Sequence, residues 1–375
     1  HNKKLKEVLE NCLNSKYWRK QFIKYGVNPY AYDIKKELKK LPILDKKTVK
    51  KNINDIKINS KKYKLRIQHT SGSSGNGLVF PADGDFEKNQ WSIWWRYWIL
   101  NDINPNMWCA LFTGKAIIPD RQKNSPYWRI NIPGKQIIFS NYHISDKTAK
   151  KYIRELKIRK LPWLHGYPSA LILIANYLIK FKESLNDDLR IVTTCSETLM
   201  PHQRSILEKG FKVPVRDHYG QAEGVSNFSE IGNSGTYKVD EDYSFVEFIP
   251  TDIRDQYKIV GTSFTNKVFP LLRYDTDDLA TIYGDPNLIK NQWRNVIAID
   301  GRKEDFLVLN DDSKVGRLDH FFKDFEAINQ AQFIQKKKGE AELKLVVNDK
   351  FDEKLLKKLQ NEITMRLGNR MHIVF

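Results

Sequence analysis

Eight consecutive residues, Thr70-Ser71-Gly72-Ser73-Ser74-Gly75-Asn76-Gly77, combine three glycines with five hydroxyl or amide side chains. Glycine lets successive backbone N–H groups turn toward an anion, and hydroxyls add further donors, so a triphosphate is a natural ligand for such a run. The segment is not a Walker A loop, because G-x-x-x-x-G-K-[ST] does not occur in the chain. Read alone, it is equally a polar surface loop. Cysteine chemistry is not indicated. Cys12, Cys109 and Cys195 are odd in number and widely spaced, which supports neither a disulfide framework nor a zinc site, and they read as packing thiols.

The elements that must position this loop follow from periodicity. Leu65-Arg66-Ile67 reads as a strand entering it. Upstream, Leu5, Val8, Leu9, Cys12, Leu13, Trp18, Phe22 and Ile23 recur at helical spacing, predicting one amphipathic helix over 3–23. Asp45 is a natural N-cap for a helix through Ile56. Trp91, Trp94, Trp95 and Trp98 follow the loop at helical spacing and read as a packed helix. Helices over 149–161 and 170–181 alternate with a strand at 191–194, which argues for an α/β core. Strands over 305–309, 332–335, 343–347 and 371–375 and a helix over 352–367 predict a small α+β C-terminal domain.

At 375 residues the chain exceeds what one hydrophobic core holds, roughly 250–300 residues, so two domains are expected, and their bounds, 1–300 and 301–375, rest on the motifs below. Residues 1–66 carry 20 Lys/Arg against 6 Asp/Glu, a net +14 of the chain's +18. An anionic membrane surface or nucleic acid can partner such a basic helical segment, although the aromatic interleaving of single-strand platforms is thin, so nucleic acid is disfavoured. No apolar run approaches the roughly 18–20 residues that cross a bilayer, and the first residues form no signal-type apolar stretch. A cytoplasmic location, peripheral to the inner membrane face, is expected.

The loop is similar to the phosphate-binding loop of the adenylate-forming, acyl-CoA synthetase-like superfamily, and further motifs follow in that family's order. Ser196-Glu197-Thr198-Leu199 resembles its adenine-side segment. Asp217-His218-Tyr219-Gly220-Gln221-Ala222-Glu223 resembles Y-G-x-T-E, Arg273-Tyr274-Asp275-Thr276-Asp277-Asp278-Leu279 the segment ending T-G-D-L, and Gly301-Arg302-Lys303-Glu304-Asp305 the G-R-x-D-D hinge. Leu41-Pro42-Ile43-Leu44, His165-Gly166-Tyr167-Pro168-Ser169-Ala170-Leu171 and Gly316-Arg317-Leu318-Asp319-His320-Phe321-Phe322 narrow the likeness to the phenylacetate-CoA ligase branch and its capsule-biosynthesis, CapK-like members.

The resemblance implies a large adenylate-forming N-terminal domain of α/β class with a small α+β C-terminal lid domain. It implies ATP-dependent activation of a carboxylic acid as its acyl-AMP, with release of pyrophosphate, and then transfer to CoA or to a glycan amine or hydroxyl, for example on a lipid-linked sugar. Thr70, Ser71, Gly72, Ser73, Ser74 and Gly75 would bind phosphates. Ser196, Glu197, Thr198, His218, Tyr219, Gly220 and Gln221 would line the nucleotide, with Tyr219 stacked on adenine. Glu223 would hold Mg²⁺ through a hard oxygen, Asp278 the ribose hydroxyls, and Arg302 ribose or phosphate. His165, Gly166 and Tyr167 would shape the acyl pocket, and Glu304 and Asp305 the hinge.

The chain departs from the pattern in four places. Ala222 lacks the usual hydroxyl donor, for which Gln221 or a backbone amide is the expected substitute. Asp277 replaces a glycine and Glu304 a hinge aspartate. No Gly-Lys pair follows Met371–Phe375, where the resemblance places the adenylation lysine, so the small domain is expected to be incomplete. Ala222 and the missing lysine also leave open a catalytically impaired nucleotide-binding descendant that acts as a partner-binding protein.

Overall fold

Short polar side chains set where the helices begin. The computed structural model describes residues 1–375 except 60–64, 71–76, 120–121, 186, 233, 290–292, 303–306, 313, 316–317, 323–324, 326, 348 and 350. Asp45, Asp83 and Asp352 each accept a hydrogen bond from the backbone N–H three residues on, opening the helices Lys46–Lys51, Gly84–Ile99 and Glu353–Leu367. Such caps contribute about 1 kcal/mol each. Ser15 does the same for Lys16–Tyr25, and for that reason the apolar stripe expected as one helix over 3–23 is two, Asn2–Cys12 and Lys16–Tyr25. Periodicity survives the break because both helices bury the same kind of face.

The described residues fall into two compact units, and the chain passes between them after Ile103, Asp217 and Lys303. The first unit holds 1–103 and 218–303. Its basic N-terminal helices pack Leu5, Leu9, Trp18, Phe22, Leu38 and Val49 into a core that includes Phe269, Leu271 and Tyr274. The charge read from the sequence therefore lies on the outer face of an ordinary amphipathic layer. An antiparallel meander runs through Ser244–Pro250, Gln256–Ser263, Tyr274–Thr281 and Ala298–Arg302. A second set pairs His218–Gly220 with Asn227–Glu230, then Tyr237–Val239 and Asn295–Val296. The hairpin Arg66–His69 with Val79–Ala82 brings together the two ends of the Ser/Gly loop.

The second unit holds 104–217 and 304–375. Gln136–Ser140, Cys109–Thr113, Trp163–Gly166 and Ile191–Cys195 form parallel neighbours, with Trp128–Asn131 antiparallel at the edge. Helices Ala149–Arg159, Pro168–Phe181 and Pro201–Phe211 contribute to the core around these strands. Buried on both faces, such strands read as apolar runs, as Cys109–Thr113 does. Gly166 is required by contact. A Cβ there would lie 2.3 Å from the Phe112 carbonyl oxygen on the neighbouring strand. Within 307–375, Ile328–Lys337, Glu340–Val347 and His372–Val374 form a sheet covered by Glu353–Leu367, with its own core of Leu307, Phe321, Leu343, Leu359 and Ile363. Among the described residues no helix is long and apolar enough to cross a membrane.

Candidate functional site

Within the first unit the strand ending at Gly220 and the meander bring two motif carboxylates next to two tyrosines. The Tyr219 hydroxyl donates to Asp278 Oδ2 at 2.9 Å, and the Tyr274 hydroxyl donates to Glu223 Oε1 at 3.2 Å. Burial pushes the Tyr219 phenol well up, and the Asp278 charge adds to the rise. Glu223 is 8% exposed. Its burial raises the carboxyl above the usual range, against the pull of its own backbone N–H, Lys46 and the Tyr274 hydroxyl. Lys46 reaches this neighbourhood because Leu44 pairs with the start of the Tyr274 strand. Leu44 N–H donates to the Arg273 carbonyl at 2.8 Å, and Asp275 N–H donates back to Leu44 at 2.9 Å. The Leu41–Leu44 motif is thus a strap that sets the first turn of the Lys46–Lys51 helix near Glu223. Sequence reasoning named the strap but missed Lys46, whose only signal was its place directly after the Asp45 cap.

Asp277 takes φ +62° and Arg273 φ +50°. The left-handed region favours glycine and costs other residues roughly 1 kcal/mol, with aspartate among the more tolerant. This is the physical content of the glycine expected at 277. Asp277 N–H donates to Asp275 Oδ1 at 3.0 Å, a local bond that helps hold the bend. The bend lets Asp278 face Tyr219, while the Arg273 guanidinium is clamped by Glu247 at 2.9 and 3.1 Å. Asp278 is also the register partner of Arg302, whose side chain lies outside the described residues.

Gln221, the expected substitute for the hydroxyl absent at Ala222, bonds within its own turn. Its Nε2 donates to Tyr219 Oη and Ser226 Oγ, both at 2.6 Å, and its Oε1 accepts from Ser226 N–H. The amide is committed to the turn that presents Glu223. His218 is buried beneath Trp94, ring centroids 3.9 Å apart and nearly parallel, with Nε2 3.1 Å from Asn227 Nδ2. Asn227 continues to Asp240, which is paired with Arg96 at 2.6 Å. His218 therefore anchors the strand from beneath, and the Trp helix supplies its platform.

In the second unit, Tyr167, Ser169 and Glu197 share the wall of one cavity. Glu197 accepts from both the Ser169 N–H and the Ser169 hydroxyl at 2.9 Å, holding the start of the Pro168–Phe181 helix. Ser196 takes φ +66° directly after its strand, and strained non-glycine backbone of this kind gathers at functional sites. His165 is buried, with Nδ1 2.8 Å from Thr193 Oγ1 and Nε2 3.6 Å from Cys195 Sγ. Burial lowers its pKa to about 4 and raises the Cys195 thiol to about 12. The pair is a neutral packing contact rather than an activated thiolate. Thr70 closes the hairpin by accepting from Leu78 N–H at 2.8 Å, and Thr198 follows Glu197 half-buried. Ser71, Gly72, Ser73, Ser74, Gly75, Glu304 and Asp305 lie outside the described residues.

Residues 307–375 match the CapK C-terminal domain family. Protein CapK of Staphylococcus aureus is 27% identical over 347 residues, 90% of this chain and 76% of that one. The chain is similar to CapK, and its fold is that of adenylate-forming ligases. Its fold superposes on 2-hydroxyisobutyryl-CoA ligase in the postadenylation state with R3-HIB-AMP at a TM-score of 0.64 and 12% identity, covering 100% of this chain and 84% of that one. The same ligase in its thioesterification state, with 2-HIB-AMP and CoA, gives 0.65 and 15% at the same coverage. The motif residues fall into two groups, Tyr219, Gln221, Glu223, Asp278 and the backbone of Arg302 in one unit, His165, Tyr167, Ser196 and Glu197 in the other. Among the described residues no three His, Cys, Asp or Glu side chains converge on a metal position. Mg²⁺ that arrives on substrate phosphates needs only one or two carboxylates, and Glu223 fits that demand.

Proposed function

We propose that this chain makes an acyl-AMP from a carboxylic acid and ATP, releasing pyrophosphate, and passes the acyl group to an acceptor. The observation that carries this reading is the Tyr219–Asp278 and Tyr274–Glu223–Lys46 arrangement set within the adenylate-forming fold. Asp278 accepts the paired ribose hydroxyls, oriented by the Tyr219 bond. Tyr219 presents its ring to adenine, and Arg302 adds a donor from the adjacent strand. Thr70 through Gly75 receive the phosphates. Glu223 would hold Mg²⁺, which would supply positive charge to the phosphates while the carboxylate attacks the α-phosphate. Lys46 favours the ionised form of Glu223 and adds positive charge. Gly166, Tyr167 and the Ser196 bend shape the acid's pocket, with 301–375 as a lid that swings on Glu304 and Asp305.

In the second step the acceptor's sulfur, oxygen or nitrogen bonds to the acyl carbon. The carbon–oxygen bond to AMP breaks, and AMP leaves with that electron pair while the acceptor's proton goes to solvent. The acceptor is CoA or a glycan amine or hydroxyl. A lipid-linked sugar at the inner membrane face would suit the lysine-rich outer face of 1–66. ATP–pyrophosphate exchange against a panel of carboxylic acids, with mass detection of the acyl-AMP, tests the first step. Exchange dependent on one acid class supports it. ATP binding without exchange for any acid would instead favour a nucleotide-binding descendant, the reading that Ala222 and the committed Gln221 amide motivate.

A further inference from the structure

The helix Lys16–Tyr25 buries Trp18 and Phe22 and turns its other side to solvent. Lys16, Arg19, Lys20, Ile23 and Lys24 stand exposed on that side, at the three- and four-residue spacings that bring helical side chains together. From Lys16 through Tyr32 the chain carries four cations and no acid. Basic helices elsewhere answer their own charge, as where Arg159 pairs with Glu155 at 2.7 Å and Lys157 with Glu183 at 2.6 Å. Among the described residues no carboxylate pairs with Lys16, Arg19, Lys20 or Lys24, and Lys24 stands 5.1 Å over the ring of its neighbour Tyr25.

A solvated lysine face would say little alone. The second observation is apolar: Ile23 is 84% exposed, Tyr30 62% and Tyr32 102%. The turn that presents the two tyrosines is held by its own hydrogen bonds. Gly26 ends the helix at φ +61°, Glu37 accepts from the Asn28 N–H at 2.7 Å, and Asn28 Oδ1 accepts from the Tyr30 N–H at 3.0 Å. Lys40 donates to the Gly26 carbonyl at 2.9 Å. Asp33, the first acid that follows, caps the next helix by accepting from the Lys36 N–H at 3.1 Å. A fixed backbone thus keeps one aliphatic and two aromatic side chains in water beside a cationic face.

These groups ask for two chemistries together. The cations want anionic oxygens, and Ile23, Tyr30 and Tyr32 want an apolar phase beside them. An anionic bilayer offers both, with phosphates above an acyl boundary that suits tyrosine, apolar in body and polar at its tip. A nucleic acid offers the phosphates but leaves Ile23 in water.

We infer that the face formed by Lys16–Tyr25 and the turn through Tyr32 docks on a bilayer of anionic phospholipid. Lys16, Arg19, Lys20 and Lys24 meet the headgroup phosphates, and Ile23, Tyr30 and Tyr32 enter the boundary between headgroups and acyl chains. The docking gives a lipid-linked acceptor a place of encounter, a purpose that rests on the proposed acyl transfer, whereas the docking itself does not.

The test is co-sedimentation of the full chain with phosphatidylcholine vesicles holding about 30% phosphatidylglycerol, against vesicles of phosphatidylcholine alone. Binding to the anionic vesicles is expected to be stronger by about tenfold or more and to fall as salt rises. Changing Lys16, Lys20 and Lys24 together to glutamine should weaken it about tenfold, and changing them to arginine should keep it within about threefold. Ile23→Ser, Tyr30→Ser and Tyr32→Ser together should weaken it by a similar factor at the parent melting temperature, because these side chains are exposed. Glutamine at Lys209, Lys336 and Lys357, exposed lysines outside this face, should leave it within about twofold. Equal binding to the two kinds of vesicle, unchanged binding in either the glutamine or the serine variant, or an equal loss in the outside-face control overturns the assignment. Tighter binding to duplex DNA than to the anionic vesicles overturns it too, and makes the face a nucleic-acid surface. ATP–pyrophosphate exchange without vesicles reports on adenylation separately: exchange without vesicle binding defeats the docking alone, and vesicle binding without exchange defeats the adenylation alone.

Discussion

Glu223 and His165 are both buried ionisable residues from motifs, yet their surroundings differ in kind. Glu223 is surrounded by groups that pull against one another, with burial and Asp278 raising its carboxyl while Lys46 and Tyr274 lower it. His165 meets the uncharged side chains of Thr193 and Cys195, and Trp163 donates to the same Thr193 hydroxyl. Opposed electrostatic pulls on one buried carboxylate are common where charged ligands bind, whereas burial beside uncharged partners shifts a group in one direction only. Tyr167, two residues after His165, faces a cavity, so the change from packing to lining occurs at the end of one strand.

The largest test of this contrast is Asp278→Ala, which removes the proposed ribose acceptor and the partner of Tyr219. Pyrophosphate exchange is expected to fall by about 10²–10³, the scale of losing a directed charge-assisted contact, with the far-ultraviolet circular dichroism unchanged. Exchange within twofold of the parent chain would remove Asp278 from the site.

Glu223→Gln should separate function from stability. The native carboxyl titrates above its ordinary value, so the folded state holds the proton to higher pH than the unfolded state, and stability is lost as pH rises through the raised value. At pH 7 the glutamine variant is therefore expected to melt at or above the parent temperature while exchange drops by about 10–100-fold. A lower melting temperature with full exchange would make Glu223 a structural residue.

His165 has the opposite sign. Its folded pKa, about 4, lies below the ordinary 6.5, so the stability it contributes is present above pH 6.5 and is lost as pH falls toward 4. The loss should approach 3 kcal/mol at most, roughly 1.4 kcal/mol per pH unit. Chemical denaturation of His165→Gln between pH 7 and 4 should show a flatter dependence than the parent chain; equal slopes would place the titration elsewhere. The smallest effect is at Cys195, where a thiol raised to about 12 should resist iodoacetamide at pH 8 until the protein is unfolded. Rapid labelling of the native chain at Cys195 would show that the packing around these uncharged side chains is open.

Local chemistry was legible in the chain itself. Caps at Asp45 and Asp352, the strand at 191–194, the helices beginning near 149 and 170, and the ordered motifs all depend on residues within a few positions of one another, which sequence periodicity records directly. The break at Ser15 was missed because apolar spacing continues across it. Tertiary structure alone decided that Leu44 pairs beside Tyr274 and sets Lys46 near Glu223, that Trp94 lies on His218, that Gln221 is committed to Tyr219 and Ser226, and that Lys354 and Lys358 share a cavity with Lys147 and Lys151. The physical reason is that contacts between distant segments depend on sheet register and on which helix faces are buried, and many sequences with the same local pattern would satisfy neither.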